Sequence, residues 1–413
     1  MKWPVRVLCI DSAPSLGGSV VSLYQLVRGI DRGRFVPTVL LYANNPYVPR
    51  FRALGIDVHV WDVYDTAKKR DLLVGRVRSS PWAIWARSGQ RRKALYHALG
   101  FAVALLQKVR PLAQGIAMLV REGDFDLVHT NCRVGHDRAG VWAARMAGVP
   151  CVAHIRHPEA LNAFDRWLAK GIKWFIYISK AVEAAQLAQG LPAGTGSVVY
   201  NGVDLAEFEA VGDRTVIRAS LGFDEDDLVV GMVGRLEEWK GQLPFVEVVG
   251  RLVSEFPRLR ALIVGAPEPY SVHYETELHA LVRERGLENR VIFAGLRQDI
   301  PAIMSALDIL VQNSLSPEPF GRAMIEAMAA GRPVIATAHG AAPEIVVEGE
   351  TGLLVPPSDQ EALASALAML LRNEGVRAKM GRAGRQRVEE YFTAARYVQG
   401  VEDVYCRVLS EVS

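Results

Sequence analysis

The residues with the most chemical content lie in Ser316-Pro317-Glu318-Pro319-Phe320-Gly321-Arg322-Ala323-Met324-Ile325-Glu326, which sets two carboxylates eight positions apart around one helix start. Pro319 and Gly321 resist helix, while Ala323 to Ala330 favours it, so the helix is expected to begin near Phe320 or Gly321 and stop at Gly331-Arg332-Pro333. Glu318 then precedes the helix and Glu326 lies inside it. A helix start offers unpaired backbone N–H groups and the positive end of the dipole, which suits a phosphate or an electron-rich sugar oxygen. Ionised carboxylates only accept hydrogen bonds. Two of them beside an anion site therefore suit a ligand that carries hydroxyls and phosphate together, as a sugar nucleotide does.

Other segments carry compatible chemistry. Val233-Gly234-Arg235-Leu236-Glu237-Glu238-Trp239-Lys240-Gly241 follows an apolar strand and brings Arg235 and Lys240 to its end. Cations fixed where negative charge builds on a departing diphosphate lower the barrier, and losing one preorganised donor costs about 3 to 4 kcal/mol. Near the amino terminus, Val5 to Ile10 reads as a strand, then comes a loop with Gly17-Gly18, then a helix through Val20, Leu23, Leu26, Val27 and Ile30. Adjacent glycines let the backbone approach a ligand closely, and their spacing departs from the Gly-x-Gly-x-x-Gly of nicotinamide enzymes. In Cys151-Val152-Ala153-His154-Ile155-Arg156-His157-Pro158, His154 falls at or near the carboxyl end of a strand, the edge where open α/β sheets bind ligands.

Glu318 and Glu326 resemble the Glu-x7-Glu signature of retaining glycosyltransferases with the two-domain GT-B fold, particularly family 4 of that classification. The Gly234 to Gly241 stretch, in which four residues separate Arg235 from Lys240, resembles the family's Gly-Arg-x5-Lys-Gly with one residue fewer. Tyr200-Asn201-Gly202-Val203-Asp204 is similar to the family's turn before the second domain, and His339-Gly340-Ala341-Ala342-Pro343-Glu344 is similar to a Gly-Gly-x-Pro-Glu run, with Ala341 where glycine is frequent. The resemblance implies transfer of a sugar from a nucleoside diphosphate with retained anomeric configuration, by front-face attack in which the donor phosphate assists deprotonation of the acceptor. It implies catalytic roles for Arg235, Lys240, Glu318 and a histidine, His154 first and His157 as the alternative. It implies donor contacts at Gly17, Gly18, Pro319, Phe320, Gly321, Glu326 and Arg297, with Glu326 on the ribose and Glu318 on sugar hydroxyls.

The elements that must position these residues follow from length and patterning. A chain of 413 residues, half of them apolar, exceeds one core and is expected to form two domains of about 200 residues each. Strands are expected at 36–42, 57–61, 126–130, 151–155, 174–179 and 197–200, then at 228–234, 260–264, 290–293, 309–312, 333–337 and 352–355. Continuous apolar runs separated by helical patterns mark parallel sheets covered on both faces. The expected architecture is α/β of GT-B type, two doubly wound Rossmann-like domains facing a cleft: an acceptor-side domain over 1–205 with a basic insertion at about 62–123, a nucleotide-sugar-binding domain over 206–390, and a terminal helix over 391–413. The helical pattern itself runs from Glu389 to Leu409.

Net charge is only +3, so the whole molecule is not built to bind polyanions. The exception is local: between Lys68 and Lys93 nine cations face one acid, Asp71, with Trp82 and Trp85 among them. Basic side chains near an anionic bilayer contribute about 1 kcal/mol each, so this insertion is a candidate contact with a membrane surface or a lipid-linked acceptor. No nucleic-acid-binding signature accompanies it. Cys9, Cys132, Cys151 and Cys406 lack Cys-x-x-Cys spacing and read as reduced and structural. Asp124-Phe125-Asp126 and Asp224 to Asp227 are turns before strands, so no metal or other cofactor is expected. No signal peptide and no run long enough to span a bilayer is expected, the nearest being 94–109, so the expected location is the cytoplasm, with peripheral contact at the inner face of the membrane as a variant of that expectation. A sugar-nucleotide epimerase or glycan phosphorylase on a similar fold, and a noncatalytic sugar-nucleotide-binding scaffold, are the alternatives. Product analysis separates the first two, and absence of turnover marks the third.

Overall fold

The computed structural model describes residues 3–13, 17–63, 100–268 and 270–411. The chain divides into two compact units, one made of Met1–Ile178, Val182–Val199 and Val398–Ser413, the other of Ser179–Ala181 and Tyr200–Tyr397. The basic segment Lys68 to Lys93, with Trp82 and Trp85, lies outside the described residues, as does part of the loop before Gly17.

In the first unit, β1 (Val5–Asp11), β2 (Phe35–Leu41), β3 (Asp57–Val60), β4 (Leu127–Thr130), β5 (Cys151–Ile155), β6 (Trp174–Tyr177) and β7 (Gly196–Val198) form one sheet in the order β3-β2-β1-β4-β5-β6-β7. Every pairing is parallel. Val7, Leu8, Ile10, Leu127 and Val128 are fully buried, because helices cover both faces and each side of these apolar runs finds a core. The order reverses at β1, which lies between β2 and β4.

The second unit repeats the plan with β8 (Leu228–Val233), β9 (Leu259–Val264), β10 (Val291–Gly295), β11 (Ile309–Gln312), β12 (Val334–Thr337) and β13 (Gly352–Val355), in the order β10-β9-β8-β11-β12-β13. Phe245, Val249, Ile263, Leu278, Ile309, Ile335 and Leu367 form its core. Here the reversal falls between β8 and β11, so the loops leaving these two strands part and open a crevice beyond their carboxyl ends. Both units are Rossmann-like, and the fold is GT-B.

Two features differ from the sequence reading. The terminal helix does not run unbroken from Glu389, nor start at 391: one helix, Glu374–Tyr391, ends there and a second, Ala394–Ser410, follows. Between them the backbone pairs with Val203, whose N–H donates to the Phe392 carbonyl at 2.9 Å and whose carbonyl accepts from Ala394 at 2.8 Å. Backbone groups spent on that pairing cannot also close helical turns. From Val398 onward the second helix belongs to the first unit, where Glu402 accepts from the Asp31 N–H at 2.8 Å and Tyr405 packs on Phe35.

The other difference is the helix Gly100–Glu122, which continues past Val109 and is long and apolar enough, by length and composition, to cross a membrane. It buries Ala113, Ile116, Ala117 and Val120 and exposes Val103, Leu106 and Met118. Lys108, Arg110 and Arg121 interrupt it. All four cysteines are free, and Cys9, Cys132 and Cys151 are buried.

Candidate active site

At the crevice of the second unit, the loop after β8 ends in a short 3-10 turn, Glu238–Lys240, followed by Gly241 in the left-handed region at φ 75°. A Cβ at Gly241 would lie 2.1 Å from the Asn313 carbonyl oxygen, so only glycine lets this loop rest on the loop that leaves β11. Further bonds join the two loops: Asn313 Nδ2 donates to the Gly241 carbonyl at 3.0 Å and the Leu315 N–H to Trp239 at 2.6 Å. This seating delivers Lys240 to Glu318. The ammonium donates to Glu318 Oε2 at 2.7 Å, and the same oxygen accepts from Gln312 Nε2 at 2.9 Å and Ser314 Oγ at 2.8 Å. With side-chain exposures of 14% and 8%, Lys240 and Glu318 form a pair largely withdrawn from water. The ammonium also lies 4.1 Å from the centre of the Trp239 ring, a favourable face for a cation.

Glu318 is fixed through its backbone as well. Its carbonyl accepts from the Ala341 N–H at 2.9 Å, and Gly340, at φ +59°, passes so close that a Cβ there would meet the Glu318 oxygen at 2.4 Å and nitrogen at 2.5 Å. Ser179 Oγ donates to the Pro319 carbonyl at 2.7 Å. The next residue, Phe320, buries its ring against Tyr200 and Phe392. Glu344 braces the ring's neighbours, accepting from the Lys180 and Ala181 N–H groups at 2.8 Å each and from the Tyr200 hydroxyl at 3.1 Å. Burial, followed by the nearby Glu344 charge, pushes the Tyr200 phenol up to about 12. Gly321, half-buried and also left-handed, caps the helix Arg322–Ala329 without a side chain. Among the described residues nothing accepts from the N–H groups of Phe320 and Gly321. They remain available to an anion.

Several site expectations are modified by this geometry. Glu318, expected to hold a sugar hydroxyl, has one carboxylate oxygen already filled, which leaves Oε1 for a ligand. The Phe320 ring faces inward, so only its backbone can reach a donor. Glu326 shares its charge with Arg322 at 3.3 Å, one helical turn away. Arg235 and Lys240, expected to act as a pair, are drawn to different acids: Arg235 lies 3.3 Å from Glu237 and 3.9 Å from Glu268. Glu237 is itself buried and accepts from Trp239 Nε1 at 2.6 Å and the Tyr270 hydroxyl at 2.5 Å. Arg297 forms a two-pronged bond to Asp299 at 2.8 and 2.6 Å on an exposed loop, which raises the arginine and lowers the carboxyl from their ordinary values.

The first unit holds the remaining expected residues. Gly17 and Gly18 open the helix Gly18–Gly29 with no side-chain cap. His154 sits in β5 fully buried, its ring centre 5.5 Å from that of His129. Burial, then the nearby Arg156 charge, pulls it well below its usual value, so it is a neutral residue within the core of this unit. His157, three residues on, is the one exposed to solvent. At the switch point of this sheet the sequence reading missed a buried network: Asn131 Nδ2 donates to Asp11 Oδ2 at 2.7 Å, and Arg156 Nη2 donates to Asn131 Oδ1 at 2.7 Å. Asp137 lies buried nearby, accepting from the Cys132 N–H at 2.9 Å, and burial pushes its carboxyl up to about 7. In the second unit Gln312, Ser314 and Glu237 were also missed. Their signal is polar residues at or shortly past the end of an apolar strand, as in Ile309-Leu310-Val311-Gln312-Asn313-Ser314.

Comparison with known families decides what this crevice belongs to. Residues 213–387 match the family model described as "Glycosyl transferases group 1", and residues 16–207 match "Glycosyltransferase Family 4". The chain is a glycosyltransferase of GT-B type. Among curated relatives of this glycosyltransferase, the lipopolysaccharide core biosynthesis mannosyltransferase LpsB of Rhizobium meliloti is 28% identical over 73% of this chain and 89% of its own length. A D-inositol 3-phosphate glycosyltransferase of Corynebacterium efficiens is 36% identical over 49% of each chain, so the match spans about half of that relative. The crystal structure of Anabaena HepE in complex with UDP and glucose superposes with a TM-score of 0.79 at 25% identity, covering 98% of this chain and 100% of that one. Sucrose-phosphate synthase of Thermosynechococcus elongatus shares the fold, with a TM-score of 0.74 at 21% identity over 98% of this chain and 100% of that one.

Proposed function

We propose that this glycosyltransferase moves a hexose from a UDP- or GDP-linked donor to a hydroxyl of a glycan, glycolipid or lipid-linked acceptor, with retention of anomeric configuration and without a metal. The observation that carries this reading is the Lys240–Glu318 pair at the β8/β11 switch point, beside the open N–H groups of Phe320 and Gly321. Those N–H groups receive donor phosphate oxygens. Lys240 and Arg235 offset the charge that develops on the diphosphate as the anomeric bond breaks, which supports a route needing no metal. Glu318 Oε1 accepts from a sugar hydroxyl and Glu326 from the ribose. As the new bond forms on the same face, the departing phosphate oxygen takes the acceptor's proton.

A hexose on UDP is favoured by the likeness to HepE, solved with UDP and glucose, and a glycan or polyol acceptor by the likeness to LpsB and the inositol phosphate enzymes. Retention rests on the family resemblance. Contact with the inner face of an anionic membrane is favoured by the nine cations between Lys68 and Lys93 and by Val103 and Leu106, exposed on the helix that follows. Loss of binding to anionic vesicles on neutralising Arg91, Arg92 and Lys93 is the expected result there, and unchanged binding contradicts it.

Thermal stabilisation by a panel of UDP-, GDP-, ADP- and dTDP-sugars in EDTA tests the donor reading. A ligand at a hundred times its dissociation constant stabilises by about 2.7 kcal/mol. One donor is expected to stabilise the wild type and to lose its effect in Lys240→Ala. No stabilisation by any donor removes the reading.

A further inference from the structure

On the amino-terminal edge of the second sheet, away from the crevice, three arginines gather around one carboxylate. Asp308 directly precedes β11, and Arg332 lies just before β12, the neighbouring strand. Arg214 and Arg218 stand one turn apart on the helix Arg214–Ser220. Arg214 donates to Asp308 Oδ1 at 2.7 Å, while Oδ2 takes Arg218 and the Val229 N–H, each at 2.7 Å. Both oxygens are thus occupied. Arg218 spends its other donors on the carbonyls of Ala306, Glu225 and Asp227, and Arg214 on those of Ser305 and Leu307.

Arg332 makes no side-chain hydrogen bond in this arrangement. Its Nε is shielded from water with no hydrogen-bond partner, and none of its guanidinium donors is engaged among the described residues. Burial, then the Arg214 charge, pulls it down to about 10; Asp308 offsets this in part, and Arg218 adds a smaller push the same way as Arg214. Other acids nearby are committed: Asp213 caps its own helix through the Thr215 N–H at 2.8 Å, and Asp227 accepts from Arg260 at 3.3 Å. A shielded arginine without a partner, next to two more cations, is costly. A planar guanidinium fork is matched in geometry and charge by a phosphate.

We propose that Arg332, with Arg214 beside it, forms a second anion site that takes a phosphate-type oxyanion on the edge of the sheet opposite the donor crevice. Arg214 is 37% exposed, so solvent reaches the site, and Arg218 is the buried post that holds Asp308. This site does not depend on the reading of the donor crevice.

Unfolding temperatures measured against rising inorganic phosphate, and separately against glycerol 3-phosphate, at ionic strength held constant with chloride, test the proposal. Wild type is expected to show a saturable upward shift. Lys240→Ala, altered only in the donor crevice, keeps the shift, whereas Arg332→Gln loses it while its stabilisation by UDP is unchanged. Without phosphate, Arg332→Gln is expected to melt at or above wild type, because it removes an unpaired charge. Arg214→Gln serves as a second variant and weakens the shift. A response to glycerol 3-phosphate alone identifies a phosphomonoester on a larger molecule as the ligand. No saturable shift in wild type, or a full shift retained in Arg332→Gln and Arg214→Gln, overturns the site.

Discussion

Gly340→Ala should inactivate the enzyme without touching any side chain of the crevice. The added Cβ would sit 2.4 Å from the Glu318 oxygen and 2.5 Å from its nitrogen, where ordinary contacts need 3.4 Å or more, and both atoms belong to the backbone. Rotamers cannot relieve the overlap; the Glu318 segment must move by about 1 Å. A non-glycine residue at φ +59° adds about 1 to 2 kcal/mol, and the overlap about 1 to 3, for a loss near 3 kcal/mol of stability. A shift of about 1 Å in a positioned catalytic group costs roughly a hundredfold in kcat, because Lys240 meets Glu318 at 2.7 Å and follows it or loses it. Gly349→Ala supplies the control. Gly349 is equally left-handed at φ +72° but has nothing within 4 Å of a built Cβ, so it carries the backbone strain alone. Denaturant unfolding and release of nucleoside diphosphate from the donor, measured on both variants, separate the two effects. Equal stabilities and wild-type kcat in both would refute the close approach of Gly340 as what seats Glu318.

Removing one member of the buried pair, by Lys240→Met or Glu318→Gln, should cost about 3 to 5 kcal/mol of stability, while the double variant should lose much less than the sum, a coupling that a double-mutant cycle measures. Glu237→Ala frees Arg235, Trp239 and the Tyr270 hydroxyl together; since a hydrogen bond to a charged group contributes about 1.5 to 3 kcal/mol, the donor KM should rise at least about tenfold in steady-state kinetics. Asp137 holds its proton up to about pH 7 when folded but releases it near 3.8 when unfolded, so stability is present below 3.8 and lost as pH rises through 7. Asp137→Asn removes that dependence, and its stability relative to wild type should increase by about 2 kcal/mol between pH 5 and pH 7 in parallel denaturant titrations.

The strands were legible because both faces of each sheet are covered, which turns Leu228 to Val233 or Ile309 to Val311 into unbroken apolar runs. Helix punctuation was equally plain, with Gly321 opening and Gly331-Arg332-Pro333 closing the motif helix. Partnerships across the fold were not. Nothing local says that Gln312 and Ser314 point at Glu318, since a polar residue after a strand looks the same when it merely meets water. The division of Arg235 and Lys240 between two sets of acids depends on Glu268 and Glu318, which come from other strand ends. The surroundings of His154 were not legible, because a histidine at the end of a strand can face a ligand or the core, and here His129, from the adjacent strand, and Arg156 share its buried pocket. The break before Ala394 arises from pairing with Val203, a contact between segments far apart in the chain that no helical periodicity records.

The central claim is that the Lys240–Glu318 crevice transfers a sugar from a nucleoside diphosphate with retained configuration, and nuclear magnetic resonance of the product formed from an α-linked, anomerically 13C-labelled donor in EDTA tests it most directly. An α-linked product, formed at an unchanged rate in EDTA and about a hundred- to a thousandfold more slowly by Lys240→Ala, is the expected result. A β-linked product, dependence on added metal, or full activity of Lys240→Ala would contradict it.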